Sequence, residues 1–135
     1  MTKKQIITLT FLMAISIIHP VCARLEGCTE ANEAVLFQGV NGTYYCTSKI
    51  PMNWFSAFSW CKGVGGELVS MDKACPGTGT GTCLNLKERQ NIVTGAGWLS
   101  NPYIASNAYR ITFSSGTVDP NAGRSNGNGQ HPLCW

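Results

Sequence analysis

The distribution of apolar and polar residues divides the chain into two unequal parts. Two lysines precede an almost unbroken apolar run at residues 6–18, and small residues follow it up to Ala23. A short basic segment, an apolar segment and a small residue before a cleavage point are typical of a secretory signal peptide. We therefore expect residues 1–23 to be a signal peptide and residues 24–135 to form a single exported domain.

A retained membrane anchor is the alternative interpretation of this leader. The apolar run is shorter than the roughly 20 residues that an α-helix needs to cross a bilayer, so cleavage is favoured. Lipid attachment at Cys22 is disfavoured, because Pro20 and Val21 precede it instead of a small residue. The predicted location is therefore extracytoplasmic: the protein is secreted, or lies in the periplasm or at the cell surface if it is bacterial, with no membrane span after cleavage.

Two stretches of the chain predict antiparallel hairpins, the first from apolar segments around a turn signal and the second from alternation. In the first, the segments 35–40 and 43–48 flank Asn41-Gly42, a strong turn signal because both residues tolerate positive φ. In the second, residues 108–113 alternate strictly, and a Ser-Ser-Gly turn follows them. The second hairpin should be half-buried.

Helical spacing predicts two short helices between these hairpins. The first places four residues at i, i+3, i+4 and i+7 on one buried face: Trp54, Ala57, Phe58 and Cys61. Asn53 is a suitable N-cap and Gly63 a suitable end. The second spans residues 85–94, where Asn85 and Glu88 have the capping-box spacing.

The order of these elements favours an α+β fold, because the helices come early and the strands late. Residues 24–34 are polar and predict a loosely held arm. Residues 119–130 are rich in glycine and asparagine and predict a polar loop, which on its own is also compatible with plain flexible surface. The last strand is expected at residues 131–135.

Cysteine usage supports export. Cys22 lies within the predicted leader, so six cysteines remain: Cys28, Cys46, Cys61, Cys75, Cys83 and Cys134. An even number in a small exported chain predicts three disulfides, each contributing about 2–4 kcal/mol. A zinc site is disfavoured, because no C-x-x-C spacing is present.

Charge and candidate chemistry exclude several functions. Ten basic residues face seven acidic ones, but two of the lysines lie in the leader, so the exported part is nearly neutral and nucleic acid is not an expected partner. The glycine-rich segment 75–83 lacks the lysine of a phosphate-binding loop. His131 is the only histidine after the leader and has no nucleophile motif near it, so we expect a surface histidine, no enzyme activity and no cofactor.

One segment resembles C-type lectin-like domains. In that family a helix carrying an aromatic residue, an alanine and a cysteine leads through a Gly-Gly turn into a strand, as here at Trp54, Ala57, Cys61, Gly65, Gly66, Leu68 and Ser70. The helix with Glu88 resembles the family's second helix, and residues 132–134 resemble its closing strand. The segments 98–100 and 108–116 are similar to bacterial surface domains of this broad fold.

The resemblance implies a C-type lectin-like α+β fold in which two short helices pack on small antiparallel sheets with three disulfides. It implies the pairs Cys28–Cys46, Cys61–Cys134 and Cys75–Cys83. Sugar-binding members of the family hold calcium with several carboxylates. Here Asn101-Pro102-Tyr103 has none and Asp119-Pro120-Asn121 has one, too few for calcium, so we expect no metal site.

The predicted function is that of a non-catalytic, calcium-independent binding module for a protein or glycan at the cell surface. The candidate ligand contacts lie in the late loops: Trp98, Tyr103, Asp119, Asn121, Arg124 and Asn126. Core burial is an equally open interpretation of Trp98. The alternative function is a structural subunit of a cell-surface or fibre assembly, and a secreted enzyme is the least favoured.

Overall fold

The computed structural model describes residues 24–77, 81–83, 95–126, 128 and 130–135. The predicted signal peptide at residues 1–23 and the predicted helix at residues 85–94 lie outside the described residues. Within the described part, no helix has the length and apolar character needed to span a membrane.

The described residues form an α+β structure with a short 3-10 turn at Glu30–Asn32, two α-helices and seven strands. The helices are α1 (Trp54–Gly63) and α2 (Met71–Ala74). The strands are β1 (Ala34–Gln38), β2 (Tyr44–Ser48), β3 (Gly81–Thr82), β4 (Ala96–Ile104), β5 (Asn107–Thr112), β6 (Thr117–Gly123) and β7 (Gln130–Cys134).

The strands form one mixed seven-stranded sheet in the order β1-β2-β7-β4-β5-β6-β3. The prediction of small antiparallel sheets is therefore wrong. Strand β7 returns between the first hairpin and the β4–β6 strands, pairing antiparallel with β2 and parallel with β4. Hydrophobic alternation indicates which face of a strand is buried, but it does not indicate which strands become neighbours, so this insertion has no local signal.

The first hairpin and the first helix have the predicted form. Gly42 adopts positive φ in the β1–β2 turn, where the Asn41 side chain accepts a hydrogen bond from the Thr43 amide. The Asn53 side chain caps α1 by accepting from the Ser56 amide at 2.8 Å. The helix buries Trp54, Ala57 and Cys61, whereas Phe58 is only partly buried. It continues through the glycine at 63, and the reversal falls instead at Gly65, where φ is positive.

Three disulfides cross-link the fold, and they join the same pairs that the resemblance implies. Cys61 in α1 pairs with Cys134 in β7, across 73 residues of sequence. Cys28 pairs with Cys46 in β2, which holds the segment before β1 against the sheet. Cys75 pairs with Cys83 and closes the segment between α2 and the end of β3. The long-range pair closes the largest loop and is therefore expected to stabilise the fold most.

Three other expectations from the sequence are corrected. The predicted polar loop at residues 119–130 begins later than expected, because residues 119–123 belong to β6. The segment before β1 is held more firmly than a loose arm, since Leu25 is buried and its amide donates to the Gly65 carbonyl. His131 is buried, not exposed, and its Nδ1 lies 2.9 Å from the Ser48 carbonyl oxygen. Its position in the central strand β7 accounts for this burial.

Candidate binding surfaces

The end of β4 and the turn that leads from it into β5 place consecutive apolar side chains in solvent. This hairpin tip, residues 102–106, is exposed throughout, with Tyr103 49% and Ile104 52% exposed. The Tyr103 ring packs edge-on against Tyr109 on β5, with ring centroids 5.5 Å apart. The tip therefore presents one aromatic and one aliphatic side chain on a paired, hydrogen-bonded hairpin.

Arg124 supports the hairpin tip from the end of β6. Its amide donates to the Ser106 carbonyl at 2.8 Å, and its Nε donates to the Asn107 carbonyl at 3.0 Å. Its guanidinium also lies over the Trp54 ring, 4.5 Å from the ring centroid, and its own carbonyl accepts from the Trp54 amide. Arg124 thus joins the start of α1 to the hairpin tip and fixes the position of both.

The remaining candidate residues do not gather at the hairpin tip. Trp98 is fully buried and donates from Nε1 to the Met52 carbonyl at 2.7 Å, so it packs in the core and presents no surface to a ligand. Asp119 accepts from Arg110 across the β5–β6 pair at 3.1 Å. Asn126 is exposed and caps a local turn through its side chain. Asn121 lies in β6, and its side chain is outside the described part.

Among the described residues, no three His, Cys, Asp or Glu side chains group closely enough to hold a metal ion. The buried His131 ring contacts a backbone carbonyl, and Asp119 is engaged with an arginine. The chemistry that these surfaces offer is therefore apolar, aromatic and cationic contact.

A second surface lies beside the residue that follows β7. Its cavity of about 490 Å³, here called the Trp135 groove, is lined by Arg24, Leu25, Leu36, Thr43, Tyr44, Lys73 and Trp135. The guanidinium carbon of Arg24 lies 3.7 Å from the indole centroid, and the Lys73 ammonium lies 4.1 Å from it. Two positive groups are thus held against one aromatic ring, and no acidic residue is found among the lining residues that the structure describes.

The walls of the Trp135 groove are fixed by contacts outside it. Trp135 exchanges both backbone hydrogen bonds with Glu67, at 3.2 and 3.0 Å. A Cβ atom at Gly66 would lie 2.9 Å from the Trp135 carbonyl oxygen, so the Gly-Gly turn can approach this closely only without a side chain. The Lys73 carbonyl accepts from the Tyr45 hydroxyl, which anchors the cationic wall to β2.

Sequence reasoning missed this groove. The sequence places residue 135 at the end of the last predicted strand, and it assigns no role to Arg24 or Lys73. These residues belong to chain segments far apart in sequence, and only the insertion of β7 beside β2 brings them together. Tyr44 is the lining residue whose local sequence points to the groove, since it is an aromatic residue at an outward position of the first hairpin and is 57% exposed.

No protein-family model matches the chain, and no curated protein matches it either.

Proposed function

We propose that the chain is an extracytoplasmic binding module of C-type lectin-like fold, which contacts its partner through the hairpin tip without catalysis and without calcium. The observation that carries the proposal is the exposure of Tyr103 and Ile104 on a hairpin to which Arg124 donates two hydrogen bonds. Exposed apolar side chains on a rigid support lose little conformational entropy when they bind.

The proposed fold is supported by the way α1 is joined to the end of the sheet. Cys61 on the buried face of the helix is cross-linked to Cys134 in the last strand. The Gly65-Gly66 turn then leads to Leu68, which forms an isolated bridge with the same Cys134. This combination corresponds to the segment on which the resemblance rests.

The proposed location is supported by the cross-links. Three disulfides in a small domain fit an extracellular protein, because reducing compartments keep thiols unpaired. Calcium independence is supported by Asp119, the one carboxylate of the late segments, whose side chain is engaged with Arg110.

The composition of the hairpin tip favours a protein partner over a neutral sugar. Ile104 has no hydrogen-bonding group for a sugar hydroxyl, whereas an aliphatic side chain beside a tyrosine is suited to a complementary apolar pocket. Aromatic residues near the centre of an interface commonly contribute most of the binding free energy. Tyr103 is therefore the expected main contact.

The test is capture of surface proteins from the source organism by the purified, disulfide-bonded chain. The double variant Tyr103→Ser with Ile104→Ser should capture at least about tenfold less of the partner, since two apolar contacts are lost. Ile50→Ser is the matched control, because Ile50 is also 52% exposed but lies outside the hairpin tip. Addition of EDTA should leave capture unchanged. An equal loss of capture in the double variant and the control, or a loss of capture when EDTA is added, would contradict the proposal.

Assembly into a fibre or surface structure is the second candidate function. Strand β1 stands at the end of the sheet order, and Leu36 on it is 50% exposed. An open strand edge is a template for pairing with another chain. Sedimentation velocity distinguishes the two functions: the binding module is expected to remain a monomer at micromolar concentration, whereas a structural subunit forms larger species that Leu36→Lys disrupts.

A further inference from the structure

We propose that the Trp135 groove is a second binding site, and that its ligand is a saccharide carrying carboxylate groups, such as a chain of uronic acids. This site shares no residue with the hairpin tip and does not depend on the function proposed for the tip. The inference rests on three features of the groove: its charge, the mixture of groups in its lining and the fixed position of its walls.

The charge of the groove selects an anion. Arg24 and Lys73 are both held against the Trp135 ring, and none of the described lining residues has an acidic side chain. The ring restrains both cations, and their N–H groups can still donate hydrogen bonds to a ligand. A guanidinium presents paired N–H groups that match a carboxylate, and the Lys73 ammonium adds a second positive charge at the same ring.

The uncharged part of the lining matches a sugar ring. Tyr44 and Leu36 present exposed apolar surface, 57% and 50% exposed, on which the C–H face of a sugar can pack. The hydroxyls of Tyr44 and Thr43 are available to accept or donate hydrogen bonds to sugar hydroxyls. An acidic peptide would pair with the two cations but would leave the aromatic and hydroxyl groups without a matching partner. A saccharide that carries carboxylates uses all of them.

The groove is also formed in advance of binding. Trp135 is fixed by paired backbone hydrogen bonds to Glu67, and it follows Cys134, whose disulfide secures β7 to α1. On the other wall, Ser70 caps α2 through the Lys73 amide. The volume of about 490 Å³ is within the range of small-molecule sites and leaves room for one or two sugar units at a time.

The experiment is calorimetric titration of the purified, disulfide-bonded protein with two matched oligosaccharides. One is a hexamer of β-1,4-linked glucuronate, and the other is cellohexaose, which has the same linkage and length but no carboxylates. We expect the glucuronate hexamer to bind at least about tenfold more tightly than cellohexaose, because a charge-assisted hydrogen bond is lost with each carboxylate that contacts the groove. Equal binding of the two, or no binding of either, would overturn the proposal.

Two substitutions and two controls assign the binding to the groove. Lys73→Gln and Tyr44→Ala should each weaken binding of the glucuronate hexamer by about fivefold to tenfold. Lys49→Gln removes the same charge at an exposed lysine that pairs with Glu30, and it should leave the affinity unchanged. Ile104→Ser should also leave it unchanged, so failure at the hairpin tip and failure at the groove are distinguishable. Equal weakening by Lys49→Gln, or full competition by a glutamate-rich peptide, would overturn the assignment.

Discussion

The hairpin tip and the Trp135 groove differ in how the chain builds them. The tip is one continuous segment, formed by the end of β4 and the turn into β5, with exposed apolar side chains and a hydrogen bond from Arg124 to the neighbouring Asn107 carbonyl. The groove is assembled from separate segments, and its cations are held at an indole ring. The tip therefore depends mainly on local pairing, whereas the groove depends on the long-range topology that places β7 beside β2.

This difference predicts which changes affect each surface. Breaking a long-range cross-link should disturb the groove more than the tip, because Trp135 follows the cross-linked Cys134 directly. Removing the support beneath the tip should leave the groove intact, because Arg124 and Trp54 do not line it. Changing the ionic strength should affect only the surface that depends on charge.

The largest effect is expected from removal of the long-range disulfide. The double substitution Cys61→Ala with Cys134→Ala should lower the free energy of unfolding by about 2–5 kcal/mol. Glucuronate binding should weaken already at urea concentrations well below the midpoint of unfolding. The measurement is urea denaturation followed by tryptophan fluorescence.

The matched control for this prediction is the pair Cys28→Ala with Cys46→Ala. Its loop spans 18 residues of sequence instead of 73, so its removal should cost about 1 kcal/mol less in the loop-entropy model. Two results would contradict the dependence of the groove on this cross-link. One is a larger loss of stability when the disulfide of the shorter loop is removed, and the other is unaltered glucuronate binding without Cys61–Cys134.

The next effect concerns the support beneath the hairpin tip. Trp54→Phe removes the indole N–H that donates to the Leu99 carbonyl at 2.8 Å, and it replaces the indole under the Arg124 guanidinium with a smaller phenyl ring, a weaker cation–π partner. We expect a loss of about 1–3 kcal/mol in the free energy of unfolding, because a buried carbonyl is left without its partner. Partner capture through the tip should weaken as well, while groove binding should not change.

Phe55→Leu provides the comparison for Trp54→Phe. Phe55 is the next residue of the same helix, its ring is 57% exposed, and it contacts Trp54 only edge-on with ring centroids 5.3 Å apart, so the substitution should cost about 0.5 kcal/mol, less than Trp54→Phe. If both variants weaken partner capture to the same extent, the tip does not depend on the Trp54–Arg124 contact.

The parts of the fold that could be predicted from the sequence are those with local causes. The turn at Asn41-Gly42, the cap at Asn53 and the buried face of α1 follow from backbone preferences and helical spacing, and the structure has all three. The strand within the predicted polar loop could not be predicted, because residues 119–123 are held in β6 by pairing with β5 and not by their own propensity.

The same distinction applies to the candidate binding residues. Tyr103 is a candidate because an aromatic residue in a polar segment is conspicuous, and Arg124 is a candidate because it lies in a segment rich in amides; the structure places both at the hairpin tip or in contact with it. Trp98 carries the same local signal as Tyr103, yet β4 turns one residue inward and the other outward. Lys73 carries no local signal at all, because its place in the groove depends on which strand lies beside β2.

A smaller effect is expected when Arg124 alone is changed. Arg124→Gln keeps the backbone hydrogen bonds to Ser106 and Trp54 but removes the Nε donor to the Asn107 carbonyl and the charge over the indole. The loss should be about 0.5–1.5 kcal/mol in the free energy of unfolding. Amide hydrogen exchange should become faster in the β4–β5 hairpin and stay the same in β2. Unaltered exchange at Ser106 and Asn107 would show that the side chain does not stabilise the tip.

The smallest effect separates the two surfaces through ionic strength alone. Raising the salt concentration from 0.15 M to 1 M shortens the Debye length from about 8 Å to about 3 Å, so attraction between exposed charges is largely screened. Binding of the glucuronate hexamer to the groove should therefore weaken by about fivefold, because both cationic residues of the lining are partly solvent-exposed. Partner capture by the hairpin tip should change by less than about twofold, since apolar burial is not weakened by salt. Parallel titrations at the two salt concentrations provide the measurement, and equal salt dependence at both surfaces would mean that charge does not distinguish them.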